Sequence, residues 1–107
     1  MKEINRNELI ISMGSTKDLI LIETLPKNYY DDGHIPGAIN IDVREVEELY
    51  KKLGLQENQT IITYCAGRTC KNSHTVADML TQKGFKNVYC YIGGKQDWAE
   101  ANLPLIK

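Results

Sequence analysis

The chain is predicted to fold as an α/β domain, with a mostly parallel central sheet flanked by helices on both faces. Three observations lead there. Short apolar and β-branched runs alternate with segments of helical periodicity along the chain. Glycine and proline punctuate the junctions between them. The 107 residues are enough to bury one core and too few to divide into two, so strands separated by helices share one sheet covered from both sides.

Apolar residues recur at helical spacing over residues 5–13, and residues 19–22 form a continuous apolar run, as a buried strand does. Pro26 opens a short helical or turn segment. Residues 33–38, Gly-His-Ile-Pro-Gly-Ala, hold two glycines and a proline and make a tight turn, with a brief strand at 39–41. Val46, Leu49, Tyr50 and Leu53 mark an amphipathic helix that Gly54 ends. Thr60–Tyr64 is rich in β-branched and aromatic residues, a central strand that stops at Cys65. A further helix starts at Asn72 or Ser73, carries Val76, Ala77, Leu80 and Lys83 on successive turns, and stops at Gly84. Residues 88–92 make another strand, Gly93-Gly94 breaks it, and 95–101 form a last short helix with Trp98 turned inward. Residues 1–107 are expected to be a single domain, without repeats or linkers.

Composition narrows the function classes. Lys and Arg number 13 against 14 Asp and Glu, a formal charge of -1, so there is no basic field to hold a nucleic acid backbone. No apolar run is long enough for a bilayer, and the opening MKEINRNELI lacks the features of a secretory signal, which excludes a membrane partner and predicts a cytoplasmic protein. Three cysteines, an odd number in a reducing compartment, do not make a disulfide framework.

Their placement points to chemistry instead. In open α/β sheets, ligands bind beyond the carboxyl ends of the strands. There the chain reads Cys65-Ala66-Gly67-Arg68-Thr69-Cys70-Lys71, small and flexible first, cationic later. Successive N–H groups of such a loop make an anion-binding concavity, and the following helix N-terminus adds positive potential. Both favour a thiolate: a free cysteine titrates near about 8.5, and such surroundings bring it to between roughly 3.5 and 7.5. Cys65 is the candidate nucleophile. The residues Ala66, Gly67, Arg68, Thr69, Cys70 and Lys71 are the candidate substrate-binding set. Whether Arg68 or Lys71 points at the sulfur, pairs with an oxyanion or faces water is open at this level.

The strand at 19–23, the segment Asp32-Gly33-His34-Ile35-Pro36-Gly37-Ala38-Ile39-Asn40, the strand-terminal Cys65 and the late Gly93-Gly94…Trp98 occur in an order that resembles the rhodanese-like single-domain sulfurtransferases, over nearly the whole chain. The resemblance implies that Cys65 takes a sulfane sulfur from a small donor such as thiosulfate or a persulfide. It then passes the sulfur from a persulfide of its own to a thiol or cyanide acceptor, or to a sulfur-accepting protein. No metal or organic cofactor is needed. Two departures stand out. Where many members have Asp-x-Arg after the first core strand, this chain has Glu23-Thr24-Leu25, so Glu23 keeps the acidic part and the arginine is missing or reassigned. Cys70 stands where the common pattern has serine, threonine or arginine. The spacing Cys65…Cys70…Ser73 resembles a Cys-x4-Cys-x2-Ser subgroup, in which a curled loop would bring the cysteine α-carbons within the roughly 4.4 to 6.8 Å of a disulfide. Cys70 is then a possible resolving thiol, acting on an oxidised or persulfidated Cys65.

Plainer readings compete. Cys65 is alternatively a buried core cysteine, Cys70 a small loop cap, and Cys90 a strand-packing residue with no role. His34 is expected to bond backbone within its turn and His74 to be solvated on a helix. Tyr29, Tyr30, Tyr50 and Trp98 pack, and Lys51-Lys52 is a solvated face. A metal site on Cys65, Cys70 and His74 lacks an evident fourth ligand. Phosphatase or arsenate reductase chemistry suffers from Lys71 standing where a bidentate arginine belongs and Tyr64 where histidine is usual. The remaining alternative is a non-catalytic redox-sensing or protein-binding module built on a Cys65/Cys70 dithiol-disulfide switch.

Overall fold

The computed structural model describes residues 1–107, except for the Leu49 side chain, so the Leu49 position of the predicted amphipathic pattern lies outside the described residues. Ten elements follow one another: β1 (Lys2–Ile4), α1 (Arg6–Ser15), β2 (Ile20–Glu23), α2 (Lys27–Asp32), β3 (Ile39–Asn40), α3 (Val46–Lys52), β4 (Thr60–Tyr64), α4 (Asn72–Gln82), β5 (Asn87–Tyr91) and α5 (Gly94–Glu100). The strands form one five-stranded sheet in the order β1-β5-β4-β2-β3. Every strand pair is parallel.

Alternation along the central strands separates two cores. Leu21 and Ile62 face one side with Leu9 of α1, Ile35 and Trp98 of α5. Ile22 and Ile61 face the other with Val46 of α3 and Val76, Ala77 and Leu80 of α4. That two-sided burial explains why the strands read as continuous apolar runs. No helix among the described residues is long and apolar enough to cross a membrane.

α1 starts one residue later than its periodicity, because Asn5 is its cap: Asn5 Oδ1 accepts from the Glu8 N–H at 2.9 Å, and Glu8 Oε1 accepts from the Asn5 N–H at 3.0 Å. The strand that sequence reading misses is β1. It has three residues, of which only Ile4 is buried, so no local pattern announces it. Pairing of Lys2, Glu3 and Ile4 with Tyr89, Cys90 and Tyr91 makes it a strand.

Two histidines of the sequence take different fates. His34 sits as expected, its Nδ1 2.9 Å from Tyr30 O and its ring stacked at 3.7 Å on Tyr30. His74, expected to be solvated, is instead half-buried, with Nε2 2.9 Å from Glu3 Oε2. The correction has the same cause as the missed strand: β1 brings Glu3 against the first turn of α4.

Candidate active site

The parallel register places the ends of β2, β4 and β5 side by side, Glu23 beside Tyr64 and Tyr64 beside Tyr91. Cys65 follows directly, 1% exposed. Tyr64 O accepts both the Thr24 N–H and the Thr24 hydroxyl at 3.0 Å, which fixes the strand end from which the loop departs.

α5 clamps the start of the loop. The Lys95 N–H donates to Cys65 O at 2.9 Å and the Gln96 N–H to Ala66 O at 2.8 Å. Gly94 permits this approach. A Cβ there would lie 2.6 Å from Cys65 O and 2.9 Å from Gly67 N, and its φ of +65° is a left-handed conformation that favours glycine. The Gly-Gly break of the sequence is thus a close contact with the cysteine loop as well as a strand end.

The far end of the loop is a turn in which the Cys70 N–H donates to Gly67 O at 3.2 Å. It brings Cys70 over Cys65, and the two sulfurs are joined as a disulfide across α-carbons 6.1 Å apart. In this form the Cys70 N–H is committed to the turn, while the N–H groups of Ala66, Gly67, Arg68 and Thr69 have no backbone acceptor among the described residues. Lys71 leads into α4 without a side-chain cap, so the uncapped N–H groups of that helix also face the loop. Arg68, Thr69 and Lys71 are exposed. Arg68 lines two neighbouring clefts, one of 410 Å³ shared with Arg6, Tyr91 and Asp97, and one of 150 Å³ shared with Thr69, Gln96 and Glu100.

Side chains whose meeting the sequence did not announce, Lys95, Tyr91, Asp97 and Arg6 among them, hold this edge together. Glu23 is fully buried, and its Oε1 accepts from the Tyr64 hydroxyl at 2.8 Å and pairs with Lys95 Nζ at 3.0 Å. Lys95 Nζ also donates to Tyr29 O at 2.9 Å, and the Ile35 N–H donates to the Tyr64 hydroxyl at 3.1 Å. Glu23 therefore keeps an acidic role, and the cation paired with it is Lys95 of α5. The available signal was the missing arginine itself, because a buried carboxylate needs a cation from somewhere. Burial first, and then the Glu23 charge, pushes the Tyr64 phenol far above its ordinary value. On the other flank the Tyr91 hydroxyl donates to Asp97 Oδ2 at 2.5 Å, and Arg6 pairs with Asp97 Oδ1 at 3.2 Å. Burial, then the bond to Asp97, raises Tyr91 as well.

Cys90 lies apart from the loop. It is buried in β5, its thiol donates to Ser73 Oγ at 3.3 Å, and burial pushes its pKa up. This fits the packing reading of Cys90.

Fold and site together define an α/β domain presenting a cysteine loop at the carboxyl edge of a parallel sheet. The model of the family described as "Rhodanese-like domain" matches residues 6–101, and the chain belongs to that family. A relative from Shewanella oneidensis named "Thiosulfate sulfurtransferase GlpE" is 26% identical over 101 residues, covering 94% of this chain and 95% of the relative. A Synechococcus elongatus relative, 27% identical over 95 residues and covering 73% of this chain, is much longer, and the match spans 30% of it. The crystal structure of the BH2092 protein from Bacillus halodurans superimposes with a TM-score of 0.88 at 29% identity, covering 98% of this chain and 76% of that one.

Proposed function

We propose that this chain is a single-domain sulfurtransferase that moves a sulfane sulfur from a small donor to a thiophilic acceptor through a persulfide on Cys65. With thiosulfate as donor, the Cys65 thiolate attacks the sulfane sulfur, the sulfur–sulfur bond of thiosulfate breaks, and sulfite departs with the bonding pair. A thiol or cyanide then attacks the outer sulfur of the persulfide and regenerates the thiolate. The free N–H groups of Ala66 to Thr69, with Arg68 and Lys71 at the rim, stabilise the negative charge that thiolate, persulfide and transferring group share.

The observation that carries the reading is the seat of Cys65: a buried sulfur at the end of β4, with its own carbonyl clamped by α5 and the uncapped end of α4 before it. The name of the Shewanella oneidensis relative, a thiosulfate sulfurtransferase, supports thiosulfate as the first donor to try. The test is intact mass and peptide mapping of the reduced Cys70→Ser protein, in which no second loop thiol can discharge Cys65, after thiosulfate treatment. One added sulfur on Cys65, removed by cyanide, is the expected result, and Cys65→Ser should abolish it. Sulfur loading that survives Cys65→Ser would overturn the assignment.

A further inference from the structure

Cys65 and Cys70 are fixed relative to each other by more than their own bond. The first is held through its carbonyl by the Lys95 N–H, and the second through its N–H by Gly67 O. Their α-carbons, 6.1 Å apart, stand at a separation that a disulfide spans without backbone movement. Cys65 is almost sealed from solvent, whereas Cys70 is half-buried and lies immediately before α4, between exposed Thr69 and Lys71. Helix N-termini and neighbouring cations lower thiol pKa values, so Cys70 is itself set up to be a nucleophile. An acceptor thiol already inside the site competes with every external one.

We infer that Cys70 resolves the Cys65 persulfide and that the chain releases the transferred sulfur as hydrogen sulfide; this rests on the persulfide reading above. The Cys70 thiolate attacks Sγ of Cys65. The Sγ–Sγ bond forms, the bond from Cys65 Sγ to the outer sulfur breaks, and that sulfur leaves as hydrosulfide, taking up the proton Cys70 gave up. Starting from thiosulfate and two thiols, the products are sulfite, hydrogen sulfide and the Cys65–Cys70 disulfide. Two electrons from a dithiol reductant then restore both thiols. The disulfide form is thereby an intermediate of the cycle, and the partner class it calls for is a dithiol.

The test uses the full chain, reduced, freed of small thiols under anaerobic conditions and given thiosulfate alone. Sulfide is quantified with monobromobimane, and the cysteines are mapped by peptide mass. The wild-type protein should release one equivalent of sulfide per chain, stop, and carry the Cys65–Cys70 disulfide, with turnover resuming on addition of dithiothreitol. Cys70→Ser should release at least about tenfold less sulfide and keep the sulfur on Cys65, because the intramolecular thiol is lost. Cys90→Ser, remote from the loop, should release sulfide as the wild type does. A persulfide that persists on wild-type Cys65 beside a free Cys70 thiol, or one that moves intact to Cys70, overturns this inference alone. Absence of sulfur transfer to Cys65 in any form overturns the persulfide reading with it, and wild-type mapping decides even if Cys70→Ser does not fold.

Discussion

Two clusters of the same pattern flank the cysteine loop. At the end of β4 stands Tyr64–Glu23–Lys95, and at the end of β5 stands Tyr91–Asp97–Arg6, each a tyrosine hydroxyl donating to a carboxylate that pairs with a cation. They differ in water. The Glu23 side chain is 0% exposed and Lys95 18%, whereas Asp97 and Arg6 are 30% and 39% exposed. The inner cluster ties β2, β4, α5, the turn at Ile35 and the Tyr29 carbonyl of α2 to one another, and the outer one closes the side of an open cleft. The same pattern of phenol, carboxylate and cation thus does two jobs. In low dielectric a carboxylate is held to a fixed set of partners, because each lost partner leaves an uncompensated charge; at the rim water replaces what is lost.

The largest effect should follow removal of the inner cation. Lys95→Met leaves Glu23 buried and unpaired, with Oε2 already lacking a partner, and should cost about 3–5 kcal/mol in urea unfolding. Lys95→Arg should recover most of it. An equal loss in Arg6→Ala would erase the distinction between the clusters. The paired tyrosines come next. Tyr64→Phe strands the Ile35 N–H as well as weakening Glu23 and should cost about 1–3 kcal/mol, against about 0.5–1.5 kcal/mol for Tyr91→Phe, whose carboxylate keeps Arg6.

Alkaline titration sharpens the same point. Both phenols are raised in the folded protein, so folding retains protons that the unfolded chain releases. Their stabilisation is complete below about pH 10 and is lost as pH climbs beyond it, by at most about 1.4 kcal/mol per unit for each. Melting temperatures followed upward from neutral pH should therefore fall above that point, and either Tyr→Phe change should flatten the decline. The smallest effect belongs to Arg6→Ala, about 0.2–1 kcal/mol, shrinking with added salt because the pair is exposed.

The helices and strands that repeat a pattern were legible in the sequence. Thr60–Tyr64, the helix beginning at Asn72 and the inward turn of Trp98 all follow from periodicity, punctuation and side-chain type. So did the cysteine loop, because a strand end running into small and then cationic residues is a local feature. β1 was not legible, since three residues with one buried side chain carry no period. Nor was the environment of His74, which depends on Glu3, 71 positions away.

By itself the sequence determined the layer order, the loop that bears Cys65 and the chemistry available to it, since each of these is written in neighbouring residues. Only the tertiary structure decided that Lys95 supplies the cation beside Glu23, that Gly94 leaves room for the close approach of α5 to the Cys65 carbonyl, and that the turn at Gly67 brings Cys70 over Cys65. The physical reason is separation along the chain. Glu23, Tyr64 and Lys95 meet because parallel strands end together and α5 returns to their edge, and nothing local to any one of the three residues encodes that meeting.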